Sequence, residues 1–327
     1  MKVFFAGVLD DEGTTMPLLM DGLLRNLFPS YFSVHMSDTC GTRVIASIPA
    51  VRKAKGITVW DSGAHSFFSS SGGAIGSAGG VSRTKSGAAP NPAAYFQRYY
   101  QWVRANHEAL ADFFVELDIG EVIGQQTVLK WRKLWERAGL LHKAILCYHP
   151  ALMSYADYCA MLKDLPSRYV ALEGPRSGQC HVNYRKFVDA AYAEGIRVHG
   201  FALTNVKYMY TAPFYSVDSS SWKAVIRWGV GPKPANLQEG STGMLAYRKA
   251  GTNSMRVLPV PSLQQASGYL QDLTAFRGTS KLPSRVNAER SREGVEGMLQ
   301  LERRVSAYWR RRGYDWDAQL SSKGTIV

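Results

Sequence analysis

Apolar residues fall into two alternating registers along most of the chain. Short, nearly continuous runs rich in β-branched and aromatic residues predict strands over 3–8, 57–61, 113–118, 144–149, 169–174, 196–203 and 214–217. Between them, apolar positions three and four apart predict helices over 16–27, 42–55, 91–107, 125–138, 154–162 and 184–194. Asn91-Pro92 opens one helix as N-cap and first helical residue, and Gly139 and Gly195 close two others. Apolar strands separated by helices of this length pair in parallel through crossover connections. Seven such strands precede residue 219, and an eighth is expected at 255–260, which predicts an α/β fold, a (β/α)8 TIM-like barrel over 1–261. No glycine-rich phosphate fingerprint follows the first strand, which argues against an open dinucleotide-binding sheet. From 262 the pattern becomes long, charged and helix-prone, so 262–327 reads as a basic helical C-terminal extension.

Composition narrows the class. The 327 residues are 46% hydrophobic and 20% charged, as in ordinary globular proteins, which excludes disordered and fibrous classes for most of the chain. No apolar run approaches the roughly 20 residues that span a bilayer. The first apolar run is short and ends in Asp10, Asp11 and Glu12, so it reads as a strand of a cytoplasmic protein rather than a signal peptide. Cys40, Cys147, Cys159 and Cys180 are too irregularly spaced for a disulfide framework or a zinc motif. The net charge of +13 is uneven: residues 219–327 carry 17 basic and 8 acidic residues, hence +9 of it. That asymmetry suggests a polyanion, nucleic acid before membrane. Arg303, Arg304, Arg310, Arg311 and Arg312, interleaved with Tyr308, Trp309 and Tyr314, are candidates for phosphate contacts and base stacking. The bland alternative is an amphipathic helix docked on the barrel with its arginines in water.

Candidate chemistry gathers at strand ends. Ile57-Thr-Val-Trp-Asp61-Ser-Gly delivers an acid into a loop, and Phe214-Tyr-Ser-Val-Asp218-Ser-Ser-Ser repeats the design. Asp61, Asp118, His149, Glu173, His199 and Asp218 all sit at or just past the C-terminal ends of predicted strands, which converge on one mouth in a barrel. Carboxylates crowded there push their pKa values apart, leaving one ionised as a nucleophile and another protonated as an acid. That combination suits displacement at a sugar carbon. Trp60, Phe67, Tyr148, Phe201 and Trp222 lie near the same ends, where an aromatic ring stacks on a base or serves as rim packing. A divalent ion on His149, His199 and carboxylates is the main chemical competitor, but no tight ligand spacing supports it, and no metal is assigned. The glycine-rich stretch 69–87 lacks the Gly-Lys-Ser/Thr ending of a phosphate loop, and reads either as a lid over the mouth or as a surface insertion.

The ordered set Asp61-Ser62-Gly63, Glu116-Leu-Asp118, Ala171-Leu-Glu-Gly174, His199-Gly200-Phe-Ala-Leu-Thr204 and Ser216-Val-Asp218-Ser-Ser-Ser-Trp222 resembles the motifs of the tRNA-guanine transglycosylase superfamily. It is most similar to the 7-deazaguanine DNA transglycosylases of phages and bacterial DNA-modification clusters. The resemblance implies exchange of guanine in a polynucleotide, DNA preferred and tRNA the alternative, for a free base such as 7-cyano-7-deazaguanine. It implies a bacterial or phage-infected cytoplasm and no further cofactor. Asp218 would be the nucleophile and Asp61 the general acid/base. Asp118 would read the Watson–Crick edge of the base, with Ser62, Gly63, Gly174, His199 and Gly200 lining the base site. The family's usual glutamine on the fourth strand is replaced by Cys147-Tyr148-His149, which would bring Tyr148 or His149 to the base. No Cys or His follows Asp218, so the zinc site common in tRNA-acting members is not expected there.

Overall fold

A computed structural model describes residues 1–8, 18–19, 21–36, 42–53, 55–64, 91–149, 153–173, 183–203, 206–220, 222, 247–248, 255–256 and 284–324. Its centre is a closed barrel of eight parallel strands: β1 (Lys2–Ala6), β2 (Asn26–Phe28), β3 (Ile57–Trp60), β4 (Phe113–Val115), β5 (Ala144–Tyr148), β6 (Tyr169–Leu172), β7 (Arg197–Gly200) and β8 (Ser216–Ser219). The ring closes between β1 and β8, where Val3 lies opposite Val217 and Phe4 opposite Asp218. Helices α1 (Thr42–Lys53), α2 (Pro92–Leu110), α3 (Gly120–Ile123), α4 (Gln125–Arg137), α5 (Tyr155–Lys163), α6 (Tyr184–Ala193) and α7 (Val206–Thr211) alternate with the strands. The chain is therefore an α/β protein with the (β/α)8 architecture. Asn91 caps α2 as the sequence predicts, its side chain accepting hydrogen bonds from the Ala93 and Ala94 N–H groups, with Pro92 first in the helix.

Two-residue alternation sorts each strand into an outer and an inner set. Outward, Trp60 packs on Trp102 of α2 at 4.4 Å, Phe114 on Trp135 of α4 at 4.6 Å, and Tyr148 on Tyr158 of α5 at 4.8 Å. Inward, Phe113 and Tyr169 meet edge-to-face at 5.2 Å, with the Arg197 guanidinium over both rings. Above them His199 stacks on Phe28 at 5.1 Å, flanked edge-on by Phe4. The next inward positions on β3, β6 and β8 are Asp61, Glu173 and Asp218, and these acids line the mouth.

Two expectations are corrected. The eighth barrel strand is β2, not 255–260: Met255–Arg256 pairs antiparallel with Tyr247–Arg248 in a separate two-stranded sheet. β2 falls at the end of the helix predicted over 16–27, of which only Leu18 and Leu19 are helical among the described residues. Three residues are too few to display a period of two. Their strand state is imposed by partners, Leu27 pairing with Phe5 on one side and with Thr58 on the other.

The C-terminal helices α8 (Ser284–Arg310) and α9 (Trp316–Ser322) join the outer layer. α8 buries Val295, Met298, Leu301, Val305 and Trp309, a stripe at three- and four-residue spacing, in the same core as the barrel. Glu302 accepts a 2.6 Å hydrogen bond from the Val3 N–H, and Trp309 Nε1 donates to the Met209 carbonyl at 2.8 Å. Trp316 Nε1 donates to the Pro213 carbonyl at 2.8 Å.

Candidate active site

Asp61, Asp118, His149, Glu173 and Asp218 project from the C-terminal ends of β3, β4, β5, β6 and β8, the face on which barrels carry chemistry. The loop after β3 is tightly specified. Asp61 N–H donates to the Pro29 carbonyl and Tyr31 N–H to the Asp61 carbonyl, both at 2.9 Å. Tyr95 Oη donates to the Ser62 carbonyl at 2.5 Å, and Tyr99 Oη to the Val115 carbonyl at 2.8 Å, so α2 fixes the ends of two neighbouring strands. Gly63 has φ +75°, and a Cβ there would lie 2.3 Å from Phe32 Cβ, so only glycine fits. The turn directs the Ser62 and Gly63 N–H groups at the Asp61 carboxylate. Ser62 Oγ is buried with no hydrogen-bond partner among the described residues.

Burial pushes the Asp61 carboxyl up to about 7. The Gly63 and Ser62 N–H groups oppose that rise, while the carboxylates of Asp218 and Asp118 add to it. Asp61 therefore changes charge near neutral pH, as a group that both gives and takes a proton must.

Asp218 is held through one oxygen. Its Oδ1 accepts from Ala202 N–H at 2.7 Å and lies 3.3 Å from His199 Nε2. Ala202 has φ +51°, the left-handed conformation that turns its N–H toward the acid. Oδ2 receives no hydrogen bond from the described residues.

Asp118 and Glu173 share His149. Its Nε2 bonds Asp118 Oδ1, and its Nδ1 bonds Glu173 Oε2 at 2.9 Å. Burial alone would lower the imidazole pKa, but the Asp118 and Glu173 carboxylates outweigh it and raise it to about 10. His149 is thus an imidazolium clamped between two carboxylates, with both ring nitrogens occupied. Among the described residues no group of three His, Cys, Asp or Glu side chains is arranged to hold a metal ion.

The mouth does not gather every candidate. Tyr148 faces the helix layer, its hydroxyl donating to the Met153 carbonyl at 2.8 Å, so it is turned away from the mouth. Trp60 faces outward too, its Nε1 donating to the Leu110 carbonyl at 2.9 Å. Glu116 serves structure: it pairs with Arg132 at 2.6 Å and accepts from the Cys147 N–H. Gly200 is packed under Leu203 and Phe214. His199 lies one layer below the mouth, fully buried, and reaches it only through Asp218. Arg303, Arg304, Arg310, Arg311 and Arg312 are exposed on α8 and the turn after it. Arg303 and Arg310 line a cavity of about 390 Å³ with Lys2 and Tyr215, at the N-terminal ends of β1 and β8. The arginines therefore sit at the opposite end of the barrel from Asp61, where Arg310 pairs with Asp315 and Asp317, and Arg312 lies over the Tyr308 ring. Gly174, Phe67 and the stretch 69–87 lie outside the described residues.

Tyr169, Ser216, Tyr95 and Tyr99 support the site and do not stand out as site residues in the sequence. Tyr169 and Ser216 carry a readable signal, since each shares the inward register of an acid on its own strand, Glu173 and Asp218. No known protein-family model matches this chain, and no curated protein matches it.

Proposed function

We propose that the protein is a base-exchange enzyme that replaces guanine in a polynucleotide, DNA in preference to tRNA, with a free 7-deazaguanine. The observation that carries this reading is the pairing of Asp61, titrating near 7, with Asp218, whose Oδ2 is unengaged among the described residues. In the proposed first step an Oδ2 electron pair forms the Oδ2–C1′ bond while the C1′–N9 pair leaves with guanine, which takes a proton from Asp61. In the second, N9 of the entering base attacks C1′, the Oδ2–C1′ pair returns to the carboxylate, and the N9 proton passes to Asp61. The pH-7 poise of Asp61 suits both directions. Asp118, kept beside a cationic His149, offers carboxylate lone pairs to the donor-rich edge of a guanine-like base. His149 positions that carboxylate rather than reading the base, because both its nitrogens are taken.

Phosphate contacts in this reading come from the mouth side of the barrel, not from the arginines of α8. The test is release of labelled guanine from DNA and from tRNA, with and without free 7-cyano-7-deazaguanine. Release that depends on the free base and on Asp218 supports exchange. Release from tRNA alone would move the preference, and DNA binding without release from either would leave a non-catalytic barrel.

A further inference from the structure

His199 is the buried group that the proposed chemistry leaves without a role. Its ring is 0% exposed, stacked on Phe28 and edged by Phe4, Phe201 and Tyr169. An imidazole enclosed by aromatic rings needs both nitrogens satisfied. Here Nε2 faces Asp218 Oδ1 at 3.3 Å and Nδ1 faces Ser216 Oγ at 2.8 Å. Ser216 Oγ in turn lies 2.5 Å from Tyr169 Oη.

The donor order follows from what each group can do. The nucleophile of the proposed exchange is a carboxylate, which only accepts, so Nε2 carries a proton. Burial raises the pKa of the Tyr169 phenol, which keeps its proton, and the Ser216 oxygen is its acceptor. The Ser216 hydroxyl then points at Nδ1. We infer that Tyr169, Ser216 and His199 form an ordered donor chain that fixes Asp218 through Oδ1 and leaves Oδ2 as the attacking oxygen, with His199 the positioning residue. Rotation of the carboxylate would exchange the two oxygens. Two donors on the same oxygen, the His199 Nε2–H and the Ala202 N–H, hold it against that. In the glycosyl ester Oδ1 becomes the carbonyl oxygen, and when the ester breaks it recovers a share of the carboxylate charge. The chain supplies a fixed hydrogen bond at that moment, without reorganisation.

This inference rests on the exchange reading for its kinetic consequence, but the chain itself is testable without turnover. In the full-length protein labelled with 15N-histidine, His199 is expected to show a protonated Nε2 and a bare Nδ1, and Tyr169→Phe is expected to move the Nδ1 resonance. A protonated Nδ1 in the wild type overturns the chain whether or not the protein turns over. For turnover, His199→Phe preserves the packing and removes the donor, and kcat for guanine release should fall about 100-fold with KM for the free base unchanged. His199→Gln, which can place an amide N–H near the Nε2 position, should recover to within about 10-fold of wild type, and His199→Asn, too short to reach Asp218, should not. A His199→Phe enzyme within about threefold of wild type, or equal behaviour of the Gln and Asn variants, overturns the positioning role. A wild type that releases no base from any polynucleotide refutes the exchange reading instead, and leaves the donor chain to the resonance measurement.

Discussion

Replacing Asp61 with Asn should make the protein more stable above neutral pH while abolishing the proposed base exchange. Burial and the neighbouring carboxylates raise the Asp61 pKa from 3.8 to about 7. Between those two values the folded state holds a proton that the unfolded state has released, so stability falls as pH rises through that window. The gap of roughly 3 pKa units corresponds to about 4 kcal/mol, fully lost by about pH 8. The carboxamide introduced by Asp61→Asn does not titrate, and its oxygen can still accept from the Gly63 or Ser62 N–H. The Asp61→Asn variant should therefore match the wild type near pH 4 and exceed it by up to about 4 kcal/mol at pH 8. Urea denaturation at unit pH steps from 4 to 10 reads this directly. Asp218→Asn, which removes one neighbouring carboxylate, should move the wild-type slope to lower pH. Parallel curves for wild type and Asp61→Asn would show that Asp61 is not held in an environment that raises its pKa, and the acid/base assignment would fall with it.

Three further outcomes follow from the same geometry. His149→Gln leaves Asp118 and Glu173 without their shared cation and should cost about 3 kcal/mol. Because the folded-state pKa of His149 is raised, that loss is complete below 6.5 and shrinks as pH rises through about 10, which the same denaturation series would show. Gly63→Ala forces a side chain into the left-handed region and against Phe32, and should lower stability by about 3 kcal/mol or more, measured by thermal unfolding. Replacing Arg310, Arg311 and Arg312 together with Ala should leave DNA affinity and its salt slope within error of wild type, because these residues face away from the mouth; a slope reduced by about two or three would contradict their placement.

Much of the barrel is legible in the sequence because parallel strands buried on both faces are continuous apolar runs, and seven of them stand out against helical spacing. β2 is not legible, because Asn26–Phe28 is short and lies within a stretch whose spacing also fits a helix. An eighth strand sought by apolar pattern alone consequently falls too late in the chain. The acids of the mouth are readable from their position after each strand. Their division of labour is not: that His149 is bridged by Asp118 and Glu173, and that Tyr148 turns outward, depends on strand register and on which face of β5 meets α5. In the C-terminal extension Arg303, Arg304 and Arg310 mark the solvent face of a helix whose other face packs on β1, as apolar spacing indicates.

In the proposed exchange, Asp218 becomes covalently bonded to a sugar carbon. Incubating the protein with guanine-containing DNA in the absence of any free base, quenching with denaturant and mapping the adduct by mass spectrometry looks for that bond itself. A deoxyribosyl ester is expected on the peptide carrying Asp218, lost on adding 7-cyano-7-deazaguanine before the quench and absent from Asp218→Asn. Labelled guanine released with no adduct at Asp218, or an adduct on Asp61 instead, would contradict the assignment of Asp218 as nucleophile.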